Sequence, residues 1–336
     1  MDNIPQLEQP DSLIQKLTIL QGTPLVSIVV ITYNSAMYVV ETLESSNDQT
    51  YQNIELIVSD DCSTDNTVDT CRHWIENNKS RFVRTQLITS PSNTGIPANC
   101  NRGLSASQGE WMKLIAGDDA MMPDCIEVNI DHVLKRTDIR VLLSDVTTYL
   151  NSFDEKNIVP RDHQPIPRDF FNANITAMEQ YKLLLKSDYV GTTPTIFIKT
   201  ETIKHVDGFD ERYKLVEDYP VWLKLTSAGY KLNFLDKVTV KYRKTSTAVH
   251  NMTQEYFIKP AFFRNEMMRR EYIYPNLPLH EYIYQKYFYN CALIFKFLTG
   301  NKPSKIGYKL FAVSTFSFNP IKYLRKKNQK CKMTRN

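Results

Sequence analysis

The sequence is short of glycine, with 10 among 336 residues. None stands in the turn after its first apolar run, which reads TYNSAMY from Thr32 to Tyr38. A dinucleotide-binding sheet needs glycines there so that a pyrophosphate can approach the helix N-terminus. That class is excluded, and so is a P-loop enzyme, because no GxxxxGK[ST] pattern occurs. The six cysteines (Cys62, Cys71, Cys100, Cys125, Cys291 and Cys331) include no CxxC pair, which removes the usual spacing of a structural zinc site. Six in a chain of this length read as reduced thiols of a cytoplasmic protein. No basic start leads into an apolar run, so no signal peptide is expected. No stretch of about 18 apolar residues occurs, so no segment is expected to span a bilayer. A net charge of +4 gives no reason to expect a nucleic-acid partner.

What is present is an ordinary globular composition, 42% hydrophobic and 23% charged, enough for a sizeable core. The run VSIVVITY from Val26 to Tyr33 is nearly continuous and β-branched, as in a strand buried on both faces. Met37, Val40 and Leu43 follow at helical spacing, with Asn34 or Ser35 as the expected cap. IELIVSDD is a second buried strand ending at Asp60 and Asp61, followed by a helix with Ser63 or Thr64 as its cap. RTQLITS, EWMKLIAGDD and IRVLLSDV read as further strands. Helices separate them over IPANCNRGLSASQ and PDCIEVNIDHVLKR, the latter with Pro123 in its first turn. This alternation predicts a mainly parallel sheet with helices on both faces. The pattern breaks from about 151 to 174, where VPRDHQPIPRDF reads as a lid or a surface loop. It resumes with AMEQYKLLLKSD as helix, TPTIFIK as strand, VEDYPVWLKLTSAGY as helix and KLNFLDKVTVKYRK as one or two strands. Beyond about His250 the chain is aromatic-rich and reads as helical, so domains are expected at 1–250 and 251–336.

Ligands of an open parallel sheet bind at the carboxyl ends of its strands. Three such ends are acidic: Asp60 with Asp61, Asp118 with Asp119, and Asp145. Carboxylates converging on one edge repel each other, and a divalent cation relieves this. Mg²⁺ or Mn²⁺ takes oxygen ligands and commonly bridges carboxylate to phosphate. Each pair also has a plainer reading as a turn and helix cap. That reading is about even for Asp60 and Asp61. It is weaker for Asp118 and Asp119, which run straight into apolar Ala120, Met121 and Met122. Asp145 reads as structural.

Three blocks, in order, resemble family 2 glycosyltransferases. They are the opening VSIVVITYNSAMYVVETLESSNDQTYQNIELIVSDDCSTDNT, the central NTGIPANCNRGLSASQGEWMKLIAGDDAMMPDCI with GDD in the place of a DXD-type motif, and the later GFDERYKLVEDYPVWLKLTSAGYK. The resemblance runs from Val26 to Arg243. It implies a GT-A-like, Rossmann-type α/β fold, a mostly parallel sheet flanked by helices, with a helical, aromatic-rich C-terminal region. It also implies roles. The backbone near Ile31 and the ring of Tyr33 would hold the nucleobase, the ring by stacking. Asp61 would accept a hydrogen bond from the base imide, favouring UDP. Asp118 would face the ribose or nearby sugar, Asp119 would bind the metal that bridges both phosphates, and Asp218 would be the catalytic base, with Glu217 beside it. As a helix-start acid favoured by the dipole, Asp218 has a plain reading too. The segment departs from the family pattern GxxxARNxG at Cys100, where Arg is usual. Arg102, Arg161 and Arg168 are the candidates to replace that diphosphate contact. The His usual soon after YR is also absent, which leaves His250 as the candidate metal or phosphate ligand and Arg243 as a phosphate-side candidate.

The implied chemistry is metal-dependent transfer of a sugar from a nucleotide donor to an acceptor hydroxyl. A single base opposite the leaving group predicts inversion, with Mn²⁺ or Mg²⁺ as cofactor. The resemblance to enzymes of O-antigen and capsule assembly implies a lipid-linked saccharide acceptor at the cytoplasmic face of the membrane. The alternative is a non-catalytic nucleotide-sugar-binding module on the same fold. From Asn301 to the end stand ten Lys or Arg and no acid, readable either as a peripheral membrane contact or as a solvated tail. The aromatics between Tyr272 and Tyr289 read as a helical region packing on the catalytic domain rather than as sugar stacking, by about two to one.

Overall fold

A computed structural model describes residues 22–160, 170–190, 193–245 and 256–317. The chain forms two compact units that divide after Thr245. The boundary expected at 250 lies outside the described residues.

The first unit is built on strands β1 (Val26–Thr32), β2 (Ile54–Asp60), β3 (Arg84–Thr89), β4 (Trp111–Ala116), β5 (Ala120–Met121), β6 (Val141–Leu150), β7 (Phe197–Lys199) and β8 (Leu232–Lys244). They form one sheet in the order β3-β2-β1-β4-β7-β6-β8-β5. Its helices are α1 (Val39–Asn47), α2 (Thr67–Asn78), α3 (Ile96–Ala106), α4 (Cys125–Lys135), α5 (Ala177–Leu184), α6 (Thr200–His205) and α7 (Asp218–Ser227).

The apolar runs explain the centre. Every residue of β2 is buried, and so are all but Ile31 in β1. Such strands need cover on both faces, and their near-continuous β-branched composition supplies the packing surface. Helix α3 approaches β1 so closely that a Cβ at Gly103 would stand 2.2 Å from Val29 Cγ1. Trp111 of β4 stacks on Phe197 of β7 with centroids 5.0 Å apart.

The β3-β2-β1-β4 half is parallel, as the alternation predicts. The other half is mixed: β7 runs antiparallel to β4 and β6, and β5 antiparallel to β8, while β6 and β8 are parallel. Only Gly117, Asp118 and Asp119 join β4 to β5, too few for a parallel crossover. The chain therefore turns away and pairs with β8.

Two helix starts differ from expectation. Helix α1 begins at Val39, because Asn34 takes a left-handed φ of 51° and gives its N–H to Ser63 Oγ at 2.8 Å. Helix α2 begins at Thr67, because Ser63 is committed to Asp60 and the Thr64 N–H donates to Asn34 Oδ1. The two turns interlock at the carboxyl ends of β1 and β2, which fixes the sheet edge where ligands of this architecture bind.

The second unit is helical among its described residues. Short helical turns from Pro260 to Asn276 lead into α8 (Leu279–Thr299) and α9 (Lys305–Ala312). Phe257 is buried at its centre, stacked on Tyr308 at 4.5 Å and meeting Phe311 edge-on at 5.8 Å. Buried Tyr274 gives its hydroxyl to Glu266 at 2.7 Å, and Tyr287 donates to the Ser314 carbonyl. The aromatic run thus packs within its own unit.

Candidate active site

Asp60 follows the plain reading. Its oxygens accept from Thr32 Oγ1 and from the Ser63 N–H and hydroxyl, which builds the turn after β2. Asp61 reaches across to the start of α3. Its carboxylate accepts from the Thr94 hydroxyl at 2.6 Å, the Gly95 N–H at 2.7 Å, the Thr94 N–H and Arg102 Nη2 at 2.7 Å. Gly95 presents its N–H at φ 98°, and a Cβ there would press on Lys214 at 2.8 Å. Burial pushes the Asp61 carboxyl up, but the bonds from Thr94, Arg102 and Gly95 outweigh it and hold the group below the usual range. Arg102, a candidate phosphate contact from the sequence, is spent here on Asp61 and Thr94.

At the end of β1 the Ile31 carbonyl accepts from the Gly117 N–H at 2.9 Å, so this part of the backbone is already committed. Tyr33 is 50% exposed.

Asp118 and Asp119 fill the short link between β4 and β5. Asp119 is buried. Its Oδ1 accepts from the Arg243 N–H at 2.8 Å, and its carbonyl accepts from Thr42 Oγ1 at 2.6 Å. Its Oδ2 is buried and finds no donor among the described residues. Burial, and then the charge of Asp118, push the Asp119 carboxyl far above the usual range. Burial raises Asp118 as well. A buried carboxylate oxygen without a donor is costly unless a proton or a cation meets it. The donor set therefore fits a hard cation, although no cluster of three or more His, Cys, Asp or Glu able to hold one exists among the described residues.

Arg243 lies behind this pair and is not a free phosphate contact. Its guanidinium donates to the carbonyls of Asp118 (2.7 Å) and Asn151 (2.6 Å) and to Glu41 (3.0 Å), 3.8 Å from the Phe153 ring centroid and 4.6 Å from that of Tyr38. It clamps the Asp118–Asp119 link instead.

Asp218 opens α7. Its Oδ2 accepts from the Thr193 hydroxyl at 3.0 Å and its Oδ1 from the Tyr219 N–H at 2.7 Å. Beside it, burial and then the Asp218 charge push Glu217 up to about 8. Thr193 hydrogen-bonds with Glu217 too. Two neighbours show that these groups share one region. The Tyr242 phenol, pushed up to about 12 by burial first, also feels the charges of Asp119, Asp118, Glu217 and Asp218. The buried Cys100 thiol, raised by burial first, feels both Glu217 and Asp61. Residues from four distant stretches of sequence thus converge. Cys100, where the family pattern has Arg, is fully buried, so it offers no diphosphate contact. His250, Arg161 and Arg168 lie outside the described residues, as does most of the Pro-rich segment. Asp145 accepts from the Val146 N–H at a register shift between β6 and β8, in keeping with a structural part.

Sequence reasoning missed two supporting residues. Thr193 carries no motif, and only the fold sets it against Asp218. Lys113 is fully buried in β4 and donates from Nζ to the Pro194 carbonyl at 2.5 Å, bracing the turn that carries Thr193. Burial lowers the affinity of Lys113 for its proton, while Cys125 and Asp119 act against that. A lone lysine inside the apolar run WMKLIA was the available signal.

The comparisons with known proteins bear on the family and the fold. Residues 27–204 match the model of glycosyl transferase family 2. EpsE of Bacillus subtilis, named as a glycosyltransferase, is 27% identical over 78% of this chain and 86% of its own. TuaG of the same organism, named as a teichuronic acid biosynthesis glycosyltransferase, is 23% identical over 74% of this chain and 91% of its own. The structure of S. aureus TarS 1-349 in complex with UDP-GlcNAc shares the fold, with a TM-score of 0.56 at 21% identity, over 78% of this chain and 72% of that one. With the family model spanning more than half of its length, the chain belongs to glycosyl transferase family 2 and is a glycosyltransferase.

Proposed function

We propose that the enzyme transfers a sugar, with inversion, from a UDP-type nucleotide sugar to a hydroxyl of a lipid-linked saccharide during surface polysaccharide assembly. The observation that carries this reading is that the charges of Asp119, Asp118, Glu217 and Asp218 all bear on the Tyr242 phenol, whose neighbour Arg243 gives its N–H to Asp119. One carboxylate pair is suited to a cation and the other to a proton. The UDP-GlcNAc complex of TarS and the name of TuaG support the donor and the pathway class.

In this reading the Tyr33 ring stacks on the base. Asp61 takes the base imide N–H once Arg102 shifts away, and Asp118 faces the ribose. Asp119, whose buried oxygen has no donor among the described residues, would hold Mn²⁺ or Mg²⁺, with His250 as a further candidate ligand. When bound, the cation supplies charge neutralisation at the departing diphosphate. Asp218, steadied by Thr193, removes the acceptor proton as the hydroxyl attacks the face opposite the leaving group, so an α-linked donor gives a β-linked product. Glu217, with its proton affinity raised to about 8, keeps one of two adjacent carboxyl groups uncharged at neutral pH. The enzyme works in the cytoplasm, peripherally on the inner face of the membrane, through its basic C-terminus.

The test is a screen of nucleotide sugars for metal-stimulated UDP release, with and without acceptor, followed by product anomer assignment. A retained anomeric configuration would overturn the single-base mechanism. Turnover unaffected by chelator would remove the metal from it.

A further inference from the structure

The second unit carries an exposed apolar face. In α8, Ile283, Asn290, Ile294 and Phe297 follow one another at seven, four and three residues, which sets them in one line along the helix. Phe297 is 85% exposed, and Ile283 and Ile294 are exposed too. The inner side of α8 meets α9 through Phe288 and Phe295, each against Phe311. In α9, Ile306 is 73% exposed and Leu310 stands beside it one turn on, also exposed. Both helices therefore turn apolar side chains away from the aromatic core they share, and water gains nothing from that arrangement.

Charge decides what covers the face. From Tyr282 to Asn336 the chain holds 12 Lys or Arg and no acid. Residues 1–281 hold 29 Lys or Arg against 37 Asp or Glu. Lys305 and Lys309 are exposed next to the apolar residues of α9, while Lys296 lies over the Phe263 ring at 4.4 Å. A second copy of the same face would oppose one basic apolar surface with another, so self-association is electrostatically disfavoured. An anionic lipid surface meets both needs. It takes up apolar side chains at the depth of its headgroup boundary and attracts the lysines, while it repels the acidic remainder. No described helix is long and apolar enough to cross a membrane, so contact of this kind lies in the plane of the interface.

We propose that the outer faces of α8 and α9 form a lipid-docking surface, with Phe297, Ile294, Ile306 and Leu310 entering the headgroup boundary and Lys305 and Lys309 selecting anionic lipid. This rests on the reading above only for its purpose, the presentation of a lipid-linked acceptor; binding itself needs no donor, metal or acceptor.

The experiment is co-sedimentation of the full chain with vesicles of phosphatidylcholine alone or with about 30% phosphatidylglycerol, near ~0.1 M salt. Binding to the anionic vesicles is expected to be at least about tenfold tighter. Lys305→Gln with Lys309→Gln together should weaken it about tenfold or more. Phe297→Ser with Ile306→Ser should weaken binding to the same vesicles while leaving UDP release from a soluble donor unchanged, which shows that the variant is folded. Equal binding to both vesicle types, or none to either, overturns the proposal. So does a concentration-dependent dimer in sedimentation velocity that the Ser variant abolishes. A chain that releases UDP yet ignores vesicles sinks this surface alone, whereas a chain that binds vesicles yet transfers no sugar sinks only the enzymatic reading.

Discussion

Asp119→Asn should make the enzyme more stable without metal and nearly inactive with it. The wild-type carboxyl is buried, one oxygen held by the Arg243 N–H at 2.8 Å and the other without a donor among the described residues. An unpartnered buried polar atom costs about 1–3 kcal/mol, more when charged. Asparagine keeps the acceptor facing Arg243 and spares the fold the cost of either ionising or protonating a buried carboxyl that burial and Asp118 hold far above its usual range. A gain of about 1–2 kcal/mol is expected, and at ~2–4 °C per kcal/mol for a unit of this size the melting temperature should rise by about 2–8 °C. Tryptophan fluorescence is the natural probe, because Trp74, Trp111 and Trp222 all lie in the first unit and are buried. In chelator the variant should melt above the wild type. With Mn²⁺ and UDP the wild type should gain up to about 3 kcal/mol at a ~100-fold excess over Kd, while the variant gains little and loses turnover. A variant that melts lower in chelator, or that responds to Mn²⁺ as the wild type does, refutes the reasoning: Asp119 would then be an ordinary structural acid.

Asp218→Asn should lower kcat about 10²–10⁴-fold with UDP affinity unchanged in calorimetry; unaltered turnover would remove it as the base. Glu217 carries a proton affinity raised in the fold to about 8 from an ordinary value near 4.5, so the folded state binds more protons than the unfolded state between those limits. Its contribution is present below about pH 4.5 and lost as pH rises through about 8. Glu217→Gln should therefore melt like the wild type near pH 5 and a few degrees above it near pH 8.5; identical melting curves at both pH values would show that the group is not perturbed. Lys113→Met should reduce kcat about tenfold or more with little change in KM, since it frees the Pro194 turn that holds Thr193 against Asp218. A melting temperature that does not fall would separate this positioning effect from simple loss of fold.

Local pattern reached far. The β-branched runs at Val26–Thr32 and Ile54–Asp60 could only be strands covered on both faces, because no other element hides such side chains so continuously. Asp61 and Asp119 were legible because they close apolar runs, where a parallel sheet presents its ligand edge, whereas Asp218 came only from the family resemblance. Helix starts at Val39 and Thr67 were not legible, because Asn34, Ser63 and Asp60 bond to one another across the strand ends and so desert the caps that local sequence offered them. The roles of Arg243 and Lys113 lay further out of reach. Arg243 bonds Glu41 across 202 residues of chain, and Lys113 bonds Pro194 across 81. Which hydrogen bonds a side chain makes depends on what the packing brings within about 3 Å, and sequence spacing does not encode that distance. The sequence by itself determined the parallel half of the sheet, its order of blocks and the acids that close its strands. Only the tertiary structure decided that the other half is mixed, that one oxygen of Asp119 has no donor among the described residues and that Arg243 clamps rather than binds, because burial and partnership are properties of the packed chain.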